Sequence, residues 1–244
     1  MPLPIQVSDL HKSFGSQTVL DGMQLEVHEA ETVAVLGRSG TGKSVLLKVM
    51  IGLQAADSGQ VCIQGKEIGK LSVGELNEVR KKIGFLFQQA ALYDSLTIEE
   101  NVIFPMARNS HQARAEQKER ARELLSSVGM EGDFEKLPSQ ISGGMQKRVG
   151  LARALALEPE ILLCDEPTSG LDPITAAEIA NLIVDLKKKR RMAAVVVTHD
   201  IRGARAFADR MVLLHEGKIV AEGSVADLQK SQDEFVVQFM RDAL

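Results

Sequence analysis

The residues with the most evident chemistry in this chain are the run Gly37-Arg38-Ser39-Gly40-Thr41-Gly42-Lys43-Ser44 and, far downstream, the acidic pair Asp165-Glu166. The run fits the spacing Gly-x-x-x-x-Gly-Lys-Ser of a loop that cradles phosphate. Its glycines let several backbone N–H groups converge on phosphate oxygens, and a helix opening near Lys43 adds the positive end of its dipole. Lys43 is expected to reach the β and γ phosphates of a nucleoside triphosphate, and the Ser44 hydroxyl to complete a magnesium shell. A turn that was only rich in glycine would not require Lys-Ser after its last glycine. The acidic pair closes the apolar run Ile161-Leu162-Leu163-Cys164, which reads as a buried strand. Ligands bind at that end of open parallel sheets. There Asp165 is expected to hold magnesium, directly or through water, and Glu166 to polarise an attacking water.

These groups need a scaffold of strands and helices to bring them together. Residues 5–7, 24–27 and 32–36 read as β-prone runs, the last ending at Gly37. Val45, Leu46, Leu47, Val49, Met50 and Leu53 predict a helix buried on most faces, stopped by Asp57-Ser58-Gly59, with a strand over 61–63 behind it. Residues 97–156 read as helical throughout. Beyond them, 160–164, 176–189 and 192–198 predict a strand, helix and strand of a parallel sheet, and 210–214 with 219–222 a hairpin before a final helix.

At 244 residues, 44% hydrophobic and 25% charged, the chain suits one α/β domain with a sizeable core. A formal net charge of -4 gives no electrostatic reason to expect nucleic-acid binding. The basic run 187–191 falls near a helix carboxyl end, where cations favour the dipole. Cys62 and Cys164 suggest neither a disulfide framework nor a zinc site, which fits a reducing cytosol. The amino terminus lacks the blocks of a secretion signal, and the longest apolar runs fall far short of the ~20 residues of a spanning helix. If the protein works at a membrane, something else must hold it there. His11, His28, His111 and His215 lack a constellation and read as surface or packing residues.

The segment Ile141-Ser142-Gly143-Gly144-Met145-Gln146-Lys147-Arg148, followed by Leu151-Ala152-Arg153-Ala154-Leu155, resembles the signature of ATP-binding cassette (ABC) proteins. That resemblance implies an α/β fold: a P-loop NTPase core with a mixed sheet, an antiparallel β lobe and an inserted helical subdomain. Residues 1–96 and 157–244 would form the core of this single domain, and 97–156 the helical subdomain. The implied cofactors are ATP and Mg2+, the implied activity ATP hydrolysis coupled to transport, and the implied assembly a head-to-tail homodimer sandwiching two ATP. In that arrangement Ser142, Gly143 and Gly144 of one copy present their helix start to the γ phosphate held by the other.

The same resemblance assigns Gln88 as the glutamine that senses magnesium and the γ phosphate, although Gln89 stands beside it. It assigns His199 as the switch histidine, and Ser169-Gly170-Leu171-Asp172 as the loop crossing the dimer interface. Phe14 occupies the place of an aromatic stacked on adenine, with a core role as the bland alternative. Separate transmembrane permease subunits are the implied partners, docked near residues 88–101 and holding the chain peripherally at the cytoplasmic face of the inner membrane. The sequence departs from the common pattern at Arg38, Val45 and Met145, none of which removes a phosphate-contacting group. These choices and the tail Phe235-Val236-Val237-Gln238-Phe239 resemble the Mla/Mce branch, which implies phospholipid cargo and an Mce-type substrate-binding partner. The alternative is a soluble cassette acting on DNA or ribosomes. Such relatives usually carry long coiled coils, zinc-binding cysteines or two cassettes in one chain, and none is seen here. Direction of transport is left open.

Overall fold

Runs of β-branched and apolar residues lay down two sheets, and the computed structural model describes them over residues 2–110 and 112–242. The expectation for His111 lies outside the described residues. The chain opens with β1 (Ile5–Phe14), β2 (Gln17–Val27), β3 (Thr32–Leu36) and α1 (Lys43–Met50), then β4 (Ser58–Ile63), β5 (Lys66–Glu67), α2 (Val73–Lys81) and β6 (Ile83–Leu86). Three helices follow, α3 (Ile98–Asn109), α4 (Arg114–Ser127) and α5 (Gly143–Ala154). The last part runs β7 (Ile161–Asp165), α6 (Pro173–Arg190), β8 (Ala193–Thr198), α7 (Ile201–Phe207), β9 (Arg210–His215), β10 (Lys218–Gly223), α8 (Val225–Gln229) and α9 (Glu234–Asp242).

One sheet is antiparallel in the order β2-β1-β4-β5, and the other is mixed in the order β10-β9-β3-β8-β7-β6. In the mixed sheet only β10 runs antiparallel to its neighbour, β9. Strands β3, β7 and β8 are buried at every residue, as befits parallel strands covered on both faces. Their side chains alternate between two cores. Ala34, Leu36, Leu162, Cys164, Ala194 and Val196 join the core under α3 to α7. Val33, Val35, Leu163, Val195 and Val197 join the core shared with α1 and the antiparallel sheet. The mixed sheet is therefore the middle layer, and its strand ends are held from both sides.

Several boundaries differ from the sequence reading. The helix after the phosphate-loop run ends at Met50 rather than at residues 57–59: Gly52 turns the chain at φ +65°, and Leu53 is 55% exposed. Residues 97–156 are not helical throughout, because 128–142 is irregular apart from a short 3-10 turn at Pro138–Gln140. Gly129 and Gly132 hold left-handed conformations there, and Pro138 opens the turn. The tail holds two helices instead of one. Helix α2 was not expected, although its start carries a capping box in which Ser72 and Glu75 bond reciprocally. Nor is His11 without a constellation, since its ring nitrogens lie 3.1 Å from Asp9 and 3.3 Å from Asp21.

Helix α5 sits directly on β6. A Cβ at Gly84 would lie 2.6 Å from the Ala154 carbonyl oxygen and 3.1 Å from Pro159 Cγ. Gly84→Ala should therefore overpack this joint and lower stability by about 1–3 kcal/mol, read as a lower denaturant midpoint. An unchanged midpoint would show that α5 has room to move away from the sheet.

Candidate functional site

The phosphate loop leaves the buried end of β3 and enters α1 through Gly42, whose φ of +98° and close approach to β2 suit only glycine. A Cβ there would lie 2.7 Å from the Val19 carbonyl oxygen. Lys43 follows, and only 5% of it is exposed. Its Nζ donates to the carbonyls of Gly37 at 2.8 Å and Arg38 at 3.0 Å, and lies 3.6 Å from Glu166 Oε1. Burial depresses the Lys43 pKa, and the Glu166 charge opposes that shift. Arg38, Ser39 and Gly40 are exposed, while Thr41 Oγ1 donates back to the Arg38 carbonyl at 2.9 Å.

Strand β7 delivers the acidic pair to the same edge. Ser44 Oγ donates to Asp165 Oδ1 at 2.8 Å. Burial raises the Asp165 pKa, only partly offset by that hydrogen bond. A hydroxyl and a carboxylate converging in this way fit magnesium, a hard cation that takes few protein oxygens and completes its shell with water and phosphate. Glu166 adopts φ +46°, a conformation that side chains other than glycine disfavour. Its amide donates to the Val197 carbonyl at 2.9 Å. Its Oε2 accepts from Thr198 Oγ1 at 3.1 Å and lies 3.0 Å from His199 Nδ1. A cleft of about 770 Å³ opens beside this cluster, lined among others by Arg38, Ser39, Gln88, Glu166, His199 and Phe239.

The exposed Gln88 follows β6, in a loop pinned from two helices. Arg153 of α5 donates to the carbonyls of Ala90 at 2.5 Å and Ala91 at 2.7 Å. Asn101 of α3, fully buried, accepts from the Tyr93 amide at 2.8 Å and donates to the Leu96 and Thr97 carbonyls. At the tail, Phe235 stacks on His215 with ring centroids 3.6 Å apart, and Arg38 lies 5.8 Å from the Phe235 centroid.

The other expected site residues stand apart within one chain. Phe14 is 47% exposed with Lys12 Nζ 5.3 Å from its ring centre, which rules out a core role. Ser142 caps α5 by accepting from the Met145 amide at 3.3 Å, and it and Gly143 face outward. Gly144 is buried, and a Cβ there would lie 2.5 Å from Thr175 Cγ2. Asp172 caps α6, accepting from the Ile174 and Thr175 amides and from Thr175 Oγ1 at 2.6 Å, and these bonds hold its carboxyl below the ordinary range. Thus Lys43, Ser44, Asp165, Glu166 and His199 gather at one sheet edge through direct contacts, and Gln88 joins Glu166 and His199 in lining the cleft, whereas Phe14, Ser142, Gly143, Gly144 and Asp172 neither touch these groups nor line it. Thr198, Asn101 and Lys147, whose Nζ donates to the Glu166 carbonyl at 2.9 Å, were not expected from the sequence. Lys147 lies within the signature segment without a role of its own there, no motif marks the other two, and only the folded register brings all three in.

The Asp165 shift has a sign that can be tested. A carboxyl whose folded pKa lies above its unfolded value stabilises the fold at low pH and loses that contribution as pH rises through the folded pKa. Asp165→Asn should therefore raise the melting temperature at pH 7 without nucleotide or metal, with the gain shrinking as pH falls toward the ordinary carboxylate range. Thermal melts across that range decide it, and a gain that grew on acidification would contradict the assignment.

Residues 20–169 match the family described as ABC transporter. Over 98% of its length the chain is 41% identical to the probable ribonucleotide transport ATP-binding protein mkl of Mycobacterium leprae, of which it spans 69%. It is 41% identical over 91% of its length to a methionine import ATP-binding protein, MetN, of Rhizobium johnstonii, spanning 61% of that protein. Over 98% of the chain it is 40% identical to the Arabidopsis thaliana chloroplast protein named trigalactosyldiacylglycerol 3, spanning 74% of it. Among solved structures, a dimeric ATP-binding cassette in a post-hydrolysis state with ADP and Pi superposes with a TM-score of 0.83 at 35% identity, covering 90% of this chain and 98% of that one. A subunit of an ABC transporter complex from Clostridium perfringens gives 0.83 at 26% identity, over 98% and 99% of the two chains. The mixed sheet, antiparallel sheet and helices are those of an ABC ATPase cassette, as the signature led us to expect. The chain belongs to the ABC transporter family, as the ATP-binding subunit of a transporter and an ATPase that uses ATP with Mg2+.

Proposed function

We propose that two copies of this chain pair head to tail around two Mg-ATP and that hydrolysis drives phospholipid transport through separate permease subunits. The observation that carries the catalytic part is the convergence of Lys43, Ser44, Asp165 and Glu166 at one sheet edge, with Ser44 2.8 Å from Asp165 and Lys43 3.6 Å from Glu166. When bound, Mg-ATP supplies the phosphoryl group, and the metal neutralises charge on it. Lys43 turns from the Gly37 and Arg38 carbonyls toward phosphate, joined by the amides of residues 37 to 44. Ser44 and Asp165 would hold the metal, and Gln88 on the cleft rim would offer a further oxygen. Glu166 accepts a hydrogen bond from the attacking water and takes its proton at a carboxylate oxygen. His199 orients that carboxylate through Nδ1 and contacts the γ phosphate.

The exposed starts of α5 and α6 support the paired arrangement. Ser142, Gly143 and Gly144 present a helix amino terminus, an anion site, to nucleotide on the partner copy. Asp172 shapes the loop that crosses between the copies, and the outward-facing Phe14 ring stacks on adenine. In this reading residues 97–156 form a helical subdomain inserted in one cassette domain, and its border with the Gln88 loop receives the permease. Among the described residues no helix is long and apolar enough to cross a membrane, which suits a chain held at the cytoplasmic face of the inner membrane by those permeases. The phospholipid reading rests on Arg38, Val45, Met145 and the tail at 235–239, and the 40% identity to a protein named for a galactolipid supports its coarser part, a lipid cargo. An Mce-type protein would then deliver or receive the lipid.

Lys43→Ala should abolish ATP binding, and Ser142→Ala should weaken both turnover and nucleotide-dependent pairing. Glu166→Gln should retain ATP, accumulate as a dimer on gel filtration and turn over about 10²–10⁴-fold more slowly. Normal turnover by Glu166→Gln would remove its role as base. For the cargo, the tagged chain purified from its native membrane should bring along permease subunits and bound phospholipid, and a complex carrying an amino acid or nucleotide cargo instead would overturn the lipid reading.

A further inference from the structure

Lys147 is a buried cation for which packing alone offers no reason. It lies on the inner face of α5, one turn beyond the Ser142 cap, and is only 5% exposed. Burial depresses its pKa, so holding it charged there is unfavourable. Among the described residues, no carboxylate lies within ion-pair distance of it. Its Nζ is spent on a backbone oxygen instead, the carbonyl of Glu166, at 2.9 Å. A carbonyl could be satisfied by a neutral donor, as it is here also by Ser169 Oγ at 3.0 Å. The lysine therefore adds something a hydroxyl does not: a positive charge and a rigid link between α5 and the residue at β7's end.

That residue is strained and held at every polar group. Glu166 keeps φ +46°, its amide is bonded to Val197, its carbonyl to Lys147 and Ser169, and its carboxylate to Thr198 and His199. Without the Lys147 bond the carbonyl would be held only by the amide and hydroxyl of its near neighbour Ser169, at 3.2 and 3.0 Å, with no tie to α5. The same helix carries Gly144 and Lys147 at i and i+3, on one face, and starts at the exposed Ser142 and Gly143. Among the described residues Lys147 is the one α5 side chain hydrogen-bonded to Glu166, so this bond is the direct link between the helix and that residue.

We propose that Lys147 is a positioning residue that fixes the orientation of the Glu166 carboxylate through its backbone carbonyl and ties that orientation to the position of the signature helix. This rests on the reading of Glu166 as the group that polarises water. A displacement on the order of 1 Å at such a group costs about 10²-fold in rate.

The test uses the purified full chain carrying Lys147→Met, which keeps the length and removes the donor, alongside Lys147→Arg, which keeps donor and charge. Lys147→Met should lower kcat by about tenfold to a hundredfold with KM for ATP changed less than about twofold, and Lys147→Arg should recover most of the loss. In the nucleotide-free protein, the His199 imidazole NMR signals should move in Lys147→Met and return in Lys147→Arg, because His199 reads the Glu166 carboxylate directly. In a Glu166→Gln background, adding Lys147→Met should slow single-turnover hydrolysis no further. Should Lys147→Met fail to fold, Lys147→Gln, a shorter neutral donor, is measured in its place and should show the same kcat and NMR changes. Unmoved His199 signals, an unchanged kcat, or losses that multiply in the double variant would each overturn the proposal. Normal turnover by Glu166→Gln alone would instead remove the role of Glu166, a different failure visible without touching Lys147.

Discussion

The site is organised around the difficulty of keeping an ammonium group out of water. Lys43 is buried at the start of α1, where it is satisfied by two carbonyls of its own loop and by Glu166 3.6 Å away. Asp165 shares the strain, since burial raises its pKa while it depresses that of Lys43. Opposite charges at the edge of a buried sheet partly cancel, yet each would be better placed in water. The arrangement makes sense as half of a complex: a polyanion with its metal ion completes the coordination that the protein alone leaves imperfect.

Strand order explains how residues so distant in sequence meet. In the mixed sheet β3, β8 and β7 lie side by side and parallel, so their carboxyl ends emerge on one edge. The phosphate loop leaves β3, Thr198 and His199 leave β8, and Asp165 and Glu166 leave β7. The middle strand therefore supplies the groups that hold Glu166, while the outer two supply cation and carboxylate. Arg153 and Asn101 do the same service for the Gln88 loop from α5 and α3. The helical face is thereby wired to the chemistry through main-chain oxygens, a connection that side-chain motifs do not reveal.

The phosphate loop, the acidic pair and strand β3 were legible because their signals are local: glycines at fixed spacing, a lysine and serine after them, and a β-branched run that ends at a turn. The strand, helix and strand at 160–198 were legible for the same reason, to within a few residues. Other features were not. The chain from 128 to 142 shares its polar composition with the helices around it, and only Gly129, Gly132 and Pro138 hinted that it would not continue them. Apolar Leu53 prolonged a helical pattern that Gly52 had already ended. Helix α2 lacked apolar periodicity, with Val79 alone buried among its residues, so its Ser72-Glu75 cap passed as ordinary polar sequence. Phe14 was ambiguous because an aromatic residue on a strand reads the same whether it faces in or out. Lys147 stood in the signature segment without a role, since a lysine on a helix reads as solvated until the partner beneath it is known.

Cys164 occupies the position immediately before Asp165, in a site where sulfur chemistry could do harm. It has no exposed surface, and burial pushes its thiol up to about 12. A thiol that stays protonated at every pH a cell reaches is a poor nucleophile, and here neither peroxide nor an alkylating agent has a path to it. The fold thus sets a sulfur one residue from Asp165 and renders it inert, so that oxidants reach this chain's thiols at the half-buried Cys62 before they reach the one inside the site.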